Sequence, residues 1–550
     1  MVAQATRPFG LQSRRGLSFW GWAIRSRARQ NRLMTKMLAP ILALVFVLHA
    51  ANAAGQGPGG PVVTTESGQV QGKLEAGLGA FKGVPYAAPP VGDLRWRAPQ
   101  PAVPWQGVRP AHTRGTSCIQ KPSLSIDSGA GDPRPMGEDC LNLNVWTPRA
   151  EPAAKLPVMV WIHGGALIFG AGGLPIYDGT PLAQRGAVVV TINYRMGALG
   201  FFAHPSIAGV RPGADVNFGL LDQIAALRWV QQNIAAFGGD PGNVTIFGQS
   251  AGAESVLALF TSPLAKGLFH KGIAQSPYGI PSHTLTKARA TAAKVASAFQ
   301  LSGAKASAAE LRAVPAEAFE NLDGNEVSLA PSFIIGDAAL PKPILSVFQR
   351  GGEAPVPLII GNTSDDGSIA IAFGMDPGAI VKRLGAARIA VKSLYPKGLS
   401  DEQLGRQTVR DLVFTAFARR IAYLHTARAP TWRYFYGYVP ERVRSSKPGV
   451  AHGADIPLTM GTLDQCQCMG APVSEQDRDA ARRAVTHWFD FAATGTPVPR
   501  DAAAWPRDGQ RDSTLLEFGE ADVVRADFMK ARVNAFIGTL KLIGAVTAAR

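Results

Sequence analysis

The sequence predicts an α/β protein: one large, mostly parallel central sheet with helices on both faces and antiparallel hairpins at its N-terminal side. Three observations predict it. Short runs such as VMVWIH (Val158–His163) and AVVVTIN (Ala187–Asn193) are apolar throughout, the composition of strands covered on both faces. Between such runs lie stretches with apolar residues at helical spacing, as in Leu220–Asn233. No internal repeat and no low-complexity linker divides residues 54–550, so that stretch reads as a single domain.

The elements follow in order. After the Gly/Pro-rich segment Gly55–Pro61, short runs at Val62–Thr65, Gly68–Lys73 and Ala80–Val84 are separated by turn residues and read as hairpin strands. Pro-rich loops occupy 85–110. Buried strands are expected at Leu143–Trp146, Val158–His163, Ala187–Asn193, Val244–Phe247, Lys271–Gln275, Leu358–Gly361 and Trp432–Val439. Helices are expected at Leu220–Asn233 and Ala251–Phe260, and near 287–299, 401–426 and 475–494. The stretches 280–350 and 370–430 read as helical excursions over one end of the sheet. Of 550 residues, 46% are hydrophobic and 17% charged, which supports a large core and excludes disorder over most of the length.

The net charge of +16 does not indicate nucleic acid. Residues 1–53 hold eight Lys or Arg and no acid, leaving +8 for the remainder, with no arginine-rich run and no concentrated basic footprint. The same 53 residues read as an address. Residues 37–53 (MLAPILALVFVLHAANA) follow a basic stretch, are apolar over too short a run to span a bilayer comfortably, and end in Ala51-Asn52-Ala53. A signal peptide cleaved after Ala53 is the expectation. The protein would then be secreted or periplasmic, with no stable membrane span after signal removal. In an exported chain, the four cysteines Cys118, Cys140, Cys466 and Cys468 suggest disulfides. A bridge between Cys466 and Cys468 would be strained but possible. Gln467 and Met469 add no metal ligands there, and no metal or cofactor motif is present.

Gly248-Gln249-Ser250-Ala251-Gly252 matches G-x-S-x-G between an expected strand and an expected helix, the context of a nucleophile elbow. Its glycines leave room for a tight turn that presents the serine hydroxyl. Trp161-Ile162-His163-Gly164-Gly165-Ala166 follows an earlier strand and resembles the HGGG-type loop whose backbone N–H groups stabilise an oxyanion. His163 precedes the serine, so it reads as structural rather than as the base.

Longer segments carry a wider resemblance. FKGVPYAAPP (Phe81–Pro90), EDCLNLNVWTP (Glu138–Pro148), VMVWIHGGALIFG (Val158–Gly170), Asn217–Val256, His452–Ile456 and Trp488–Pro497 are similar to the type-B carboxylesterase and lipase family, which includes the cholinesterases. The resemblance implies the α/β-hydrolase fold and a serine esterase that forms an acyl-enzyme on Ser250. It implies Asp366, in Ser364-Asp365-Asp366-Gly367, as the triad acid, with Asp365 as the alternative, and His452 as the base. The residues agree on His452, which lies beside a glycine in a loop after the strand at 432–439. By resemblance the N–H groups of Gly165, Ala166 and Ala251 form the oxyanion hole, Cys118 pairs with Cys140, and Arg95–Glu138 and Arg195–Asp222 are structural ion pairs. A small-molecule ester is the implied partner, with no cofactor and no nucleic acid. Two other readings stand beside it: a lipase on long-chain esters, and a non-catalytic cholinesterase-like binding protein.

Three departures bear on substrate. Gln249 stands where the family usually has Glu, which removes a negative charge beside the triad. Ala166 replaces a third glycine and narrows the acyl side. The Cys118–Cys140 loop lacks an aromatic residue on which a quaternary ammonium could stack, which argues against choline esters.

Overall fold

A computed structural model describes residues 60–208, 213–280, 282–322, 333–466, 469, 472–497 and 504–538. The expected signal peptide and Cys468 lie outside them.

Eleven strands form the central sheet. In chain order they are β1 (Lys73–Glu75), β2 (Leu78–Pro85), β3 (Asn142–Thr147), β4 (Leu156–Ile162), β5 (Val188–Ile192), β6 (Gly239–Gln249), β7 (Lys271–Gln275), β8 (Leu358–Thr363), β9 (Thr431–Tyr436), β10 (Thr514–Phe518) and β11 (Val523–Ala526). Their spatial order is β1-β2-β3-β5-β4-β6-β7-β8-β9-β10-β11. From β5 through β10 every neighbouring pair is parallel, whereas the outer pairs at both ends are antiparallel. A separate small sheet joins Val62–Thr65, Gly68–Gln71 and Val108–Pro110.

The apolar runs are buried on both sides, with a side-chain period of two. In β4, Val158, Val160 and Ile162 enter one core, and Met159 and Trp161 enter the other. Helices α1 (Phe218–Asn233) and α2 (Ala251–Thr261) cover the first face. Helix α3 (Glu475–Thr494) covers the second, with Trp488 and Phe491 fully buried. Ser474 starts α3 with a reciprocal capping box to Asp477, and Gly495 ends it in the left-handed conformation.

The expected strands and principal helices are present, with ends shifted by a few residues. The stretch 401–425 is helical as expected but contains a π-helical segment, Arg410–Thr415, between α-helices Asp401–Val409 and Ala416–His425. The pairing of Cys118 with Cys140 is observed, with Cα atoms 5.0 Å apart. Cys466 is also disulfide-bonded.

Candidate active site

All the sequence-predicted groups come from loops at the C-terminal ends of β4, β6, β8 and β9. This edge of an open parallel sheet is where ligands bind in α/β proteins.

Ser250 follows β6 directly and caps α2. Its backbone is strained, with φ +57° and ψ −122°, and Ser250 N–H donates to the Gln275 carbonyl of β7 at 2.8 Å. The flanking glycines are required by close approach. A Cβ on Gly252 would lie 2.0 Å from the Ile162 carbonyl oxygen, and one on Gly248 would lie 2.6 Å from that same atom. The elbow therefore presses against the end of β4, from which the next loop departs.

In that loop, Gly165 has φ +100° and a Cβ there would lie 2.0 Å from the Phe169 carbonyl oxygen. Gly165 O accepts from the Ile168 and Phe169 N–H groups, so the loop is a tight turn. Ala166 is held at φ +52°. Among the described residues, none accepts a hydrogen bond from the N–H of Gly165, Ala166 or Ala251. His163 is fully buried, stacks on Tyr194 with ring centroids 4.4 Å apart, and approaches the Gly164 carbonyl at 2.9 Å. Burial pushes its pKa down to about 4, so it is a neutral structural group.

Asp366 begins the turn after β8 and is fully buried. Its Oδ2 accepts from the Thr363 backbone N–H at 2.7 Å and from the Ser276 hydroxyl at 3.0 Å. Its Oδ1 lies 2.7 Å from His452 Nδ1. The His452 backbone N–H donates to Ser368 Oγ at 2.9 Å, and the Phe414 ring lies 5.1 Å from the imidazole. Asp365, the alternative acid, is bound instead by the Arg406 guanidinium, and its N–H donates to the Val450 carbonyl.

The remaining imidazole nitrogen, Nε2, is 3.2 Å from the side-chain nitrogen of Gln249. Ser250 Oγ donates to no described residue. Thus the structure joins Asp366 to His452 and sets both beside the elbow, while the second imidazole nitrogen meets Gln249 rather than the serine.

Sequence reasoning did not find several supporting groups. Ser276 and Thr363 hold Asp366. Gln275 links Asp455, at 3.0 Å, to Trp488, at 3.1 Å. Burial raises the pKa of Asp455 to about 6 and that of Glu254, one turn beyond Ser250 on α2, to about 8. Glu254 Oε1 accepts from the Tyr278 N–H at 3.1 Å. Apart from the local Thr363–Asp366 bond, each contact joins segments far apart in the chain, so no local pattern marks these residues. Both ion pairs implied by resemblance are formed: Arg95–Glu138 at 2.6 Å and Arg195–Asp222 at 2.7 Å.

A model of the "Carboxylesterase family" matches residues 59–400 and 400–536. The para-nitrobenzyl esterase of Bacillus subtilis (strain 168) is 37% identical over 478 residues, covering 83% of this chain and 94% of that protein. The phenmedipham hydrolase of Pseudarthrobacter oxydans is 36% identical over 510 residues, covering 86% of this chain and 99% of that protein. Among solved structures, a carboxylesterase of Geobacillus stearothermophilus superimposes with a TM-score of 0.77 at 30% identity, covering 86% of this chain and 99% of that one. The chain therefore belongs to the carboxylesterase family and is a carboxylic ester hydrolase of the α/β-hydrolase fold.

Proposed function

We propose that Ser250, His452 and Asp366 form the catalytic triad and that the enzyme acts on small and medium carboxylic esters. The observation that carries this reading is the 2.7 Å contact between Asp366 and His452 Nδ1 beside the strained serine elbow.

The chemistry follows from the residues. Ser250 Oγ attacks the ester carbonyl carbon as its proton passes to His452 Nε2, forming a tetrahedral oxyanion. Asp366 holds the proton on Nδ1 and stabilises the imidazolium. The N–H groups of Gly165, Ala166 and Ala251 have no acceptor among the described residues, and α2 begins at Ala251, so these donors suit the developing negative charge. His452 then gives its proton to the leaving alcohol as the carbon–oxygen bond breaks, which leaves an acyl-serine. Water, deprotonated by the same histidine, releases the carboxylate and restores Ser250. The Ala166 methyl and the aromatic-free Cys118–Cys140 loop favour compact neutral esters over choline esters.

The test is an organophosphate probe followed by peptide mass mapping, together with rates over esters of graded acyl length. A single mass addition on Ser250, abolished in Ser250→Ala, is expected. Labelling elsewhere, or hydrolysis that survives Ser250→Ala, overturns the assignment.

Export is part of the proposal. The basic and apolar stretch in residues 1–53 and the Cys118–Cys140 disulfide support it. Amino-terminal sequencing of the protein from the medium or periplasm is expected to begin near Ala54, and recovery of intact chain from the cytoplasm alone would reject it.

A further inference from the structure

We propose that Gln249 is a positioning residue that holds His452 off Ser250 in the resting enzyme. Its side-chain amide occupies the single imidazole lone pair through which the serine must be deprotonated. The inference rests on the triad reading above.

Asp366 fixes the tautomer, because a carboxylate at 2.7 Å keeps the proton on Nδ1. Nε2 is then purely an acceptor, with one in-plane lone pair. The Gln249 amide nitrogen at 3.2 Å takes it, and Ser250 Oγ is left without a partner among the described residues. Gln249 and Ser250 are adjacent in sequence and compete for the same atom.

The competitor is itself held in place. Gln249 ends β6 in register with Gln275 of β7 and is 4% exposed. Its amide lies in a slot between two glycines. A Cβ on Gly164 would lie 3.2 Å from Gln249 Oε1, and a Cβ on Gly453 would lie 3.7 Å from both amide atoms. A methyl at Gly164 would crowd the amide and the Gln249 carbonyl, whereas one at Gly453 would only pack against it, so it is the bare Gly164 backbone that admits the amide beside the imidazole. Substrate entry must exchange the Gln249 hydrogen bond for that of Ser250 before attack.

Among the described residues, the charged and titratable groups facing His452 include Asp366 on its Nδ1, the buried Asp455 three residues on, and Asp365 paired with Arg406 on the neighbouring turn. The Phe414 ring and the Ser368 hydroxyl also lie against His452 and carry no charge. All are common to wild type and to Gln249 variants, so they cancel in a comparison.

Two variants separate the possibilities. Gln249→Met keeps the length and removes the donor. Gln249→Glu keeps the shape, cannot donate as a carboxylate, and adds a charge that favours the imidazolium. The readouts are the second-order rate of Ser250 labelling by a small organophosphate and the pH profile of kcat/KM on para-nitrophenyl acetate. The loss of one competing hydrogen bond predicts labelling about fivefold faster in Gln249→Met, with the acid limb unmoved. Gln249→Glu is expected to move the acid limb about 0.5–1 unit to higher pH. Wild-type or slower labelling in Gln249→Met would overturn the proposal, whatever the acid limb of Gln249→Glu does. A wild-type enzyme that is not labelled at Ser250 refutes the triad reading itself, which distinguishes the two failures.

Discussion

At Asp366 one carboxylate serves three donors, and each oxygen has a separate task. Oδ2 is anchored by the Thr363 N–H and the Ser276 hydroxyl, which leaves Oδ1 aimed at the imidazole. Asp366→Asn keeps the volume but offers an amide where Nδ1–H needs an acceptor, so the imidazole adopts the wrong tautomer. The expected loss in kcat is on the order of 10⁴-fold with little change in KM, read from initial rates on a soluble ester. A loss under tenfold would show that Asp366 does not orient the base. Ser276→Ala removes only an anchor of Oδ2, and about a tenfold loss or less is expected in the same assay. Gly252→Ala tests the elbow. Its new methyl meets a backbone carbonyl with no flexible side chain to yield, so a few kcal/mol of stability and most of the activity are expected to go together, measured by denaturant unfolding and rate.

Among the elements, α1 is tied to the sheet by a buried charge. Asp222 accepts from the Arg195 backbone N–H at 3.0 Å and from two guanidinium nitrogens at 2.8 and 2.7 Å, which fixes the loop after β5 against the helix. Both side chains are buried, so Asp222→Asn would strand the Arg195 charge. Equilibrium unfolding should show a loss of about 3–5 kcal/mol, whereas a change under 1 kcal/mol would mean that water reaches the pair. The same scale explains what could be read beforehand. β4, β5 and β8 were legible because both faces are buried, which forces continuous Val, Ile and Leu. The elbow was legible because steric necessity writes its glycines into the local sequence. β10 and β11 were not anticipated; β11 is VVRA with every residue exposed, so no burial pattern marks it. The Gln249–His452 contact was equally hidden, since it joins residues 203 positions apart and depends on where two loops meet.

Across the whole molecule, burying ionisable groups beside the site makes folding stability depend on pH, and the signs can be worked out. His163 is held near pKa 4 from its ordinary 6.5, so the unfolded chain binds the extra proton between those values and stability is lost as pH falls through that window. Glu254 behaves oppositely. Burial raises it to about 8 from its ordinary 4.5, so the folded state binds the extra proton, and stability is lost as pH rises from 4.5 to 8. Asp455, raised to about 6 from 3.8, acts in the same direction but is finished by neutral pH. Above about pH 7.5 Glu254 is the one of these three that still titrates appreciably. Between pH 6.5 and 8 it should contribute a loss of about 1.5–2 kcal/mol. Glu254→Gln is neutral throughout and retains an oxygen to accept the Tyr278 N–H, so it should lack this slope. The measurement is urea unfolding of both proteins at pH 6.5, 7.2 and 8, with the difference in free energy between them plotted against pH. Every other titrating group is common to the pair and cancels. A difference that grows toward pH 8 in favour of the glutamine variant supports a protonated carboxyl in the wall of the elbow helix. Parallel lines would mean that Glu254 is ionised and hydrated in the folded protein.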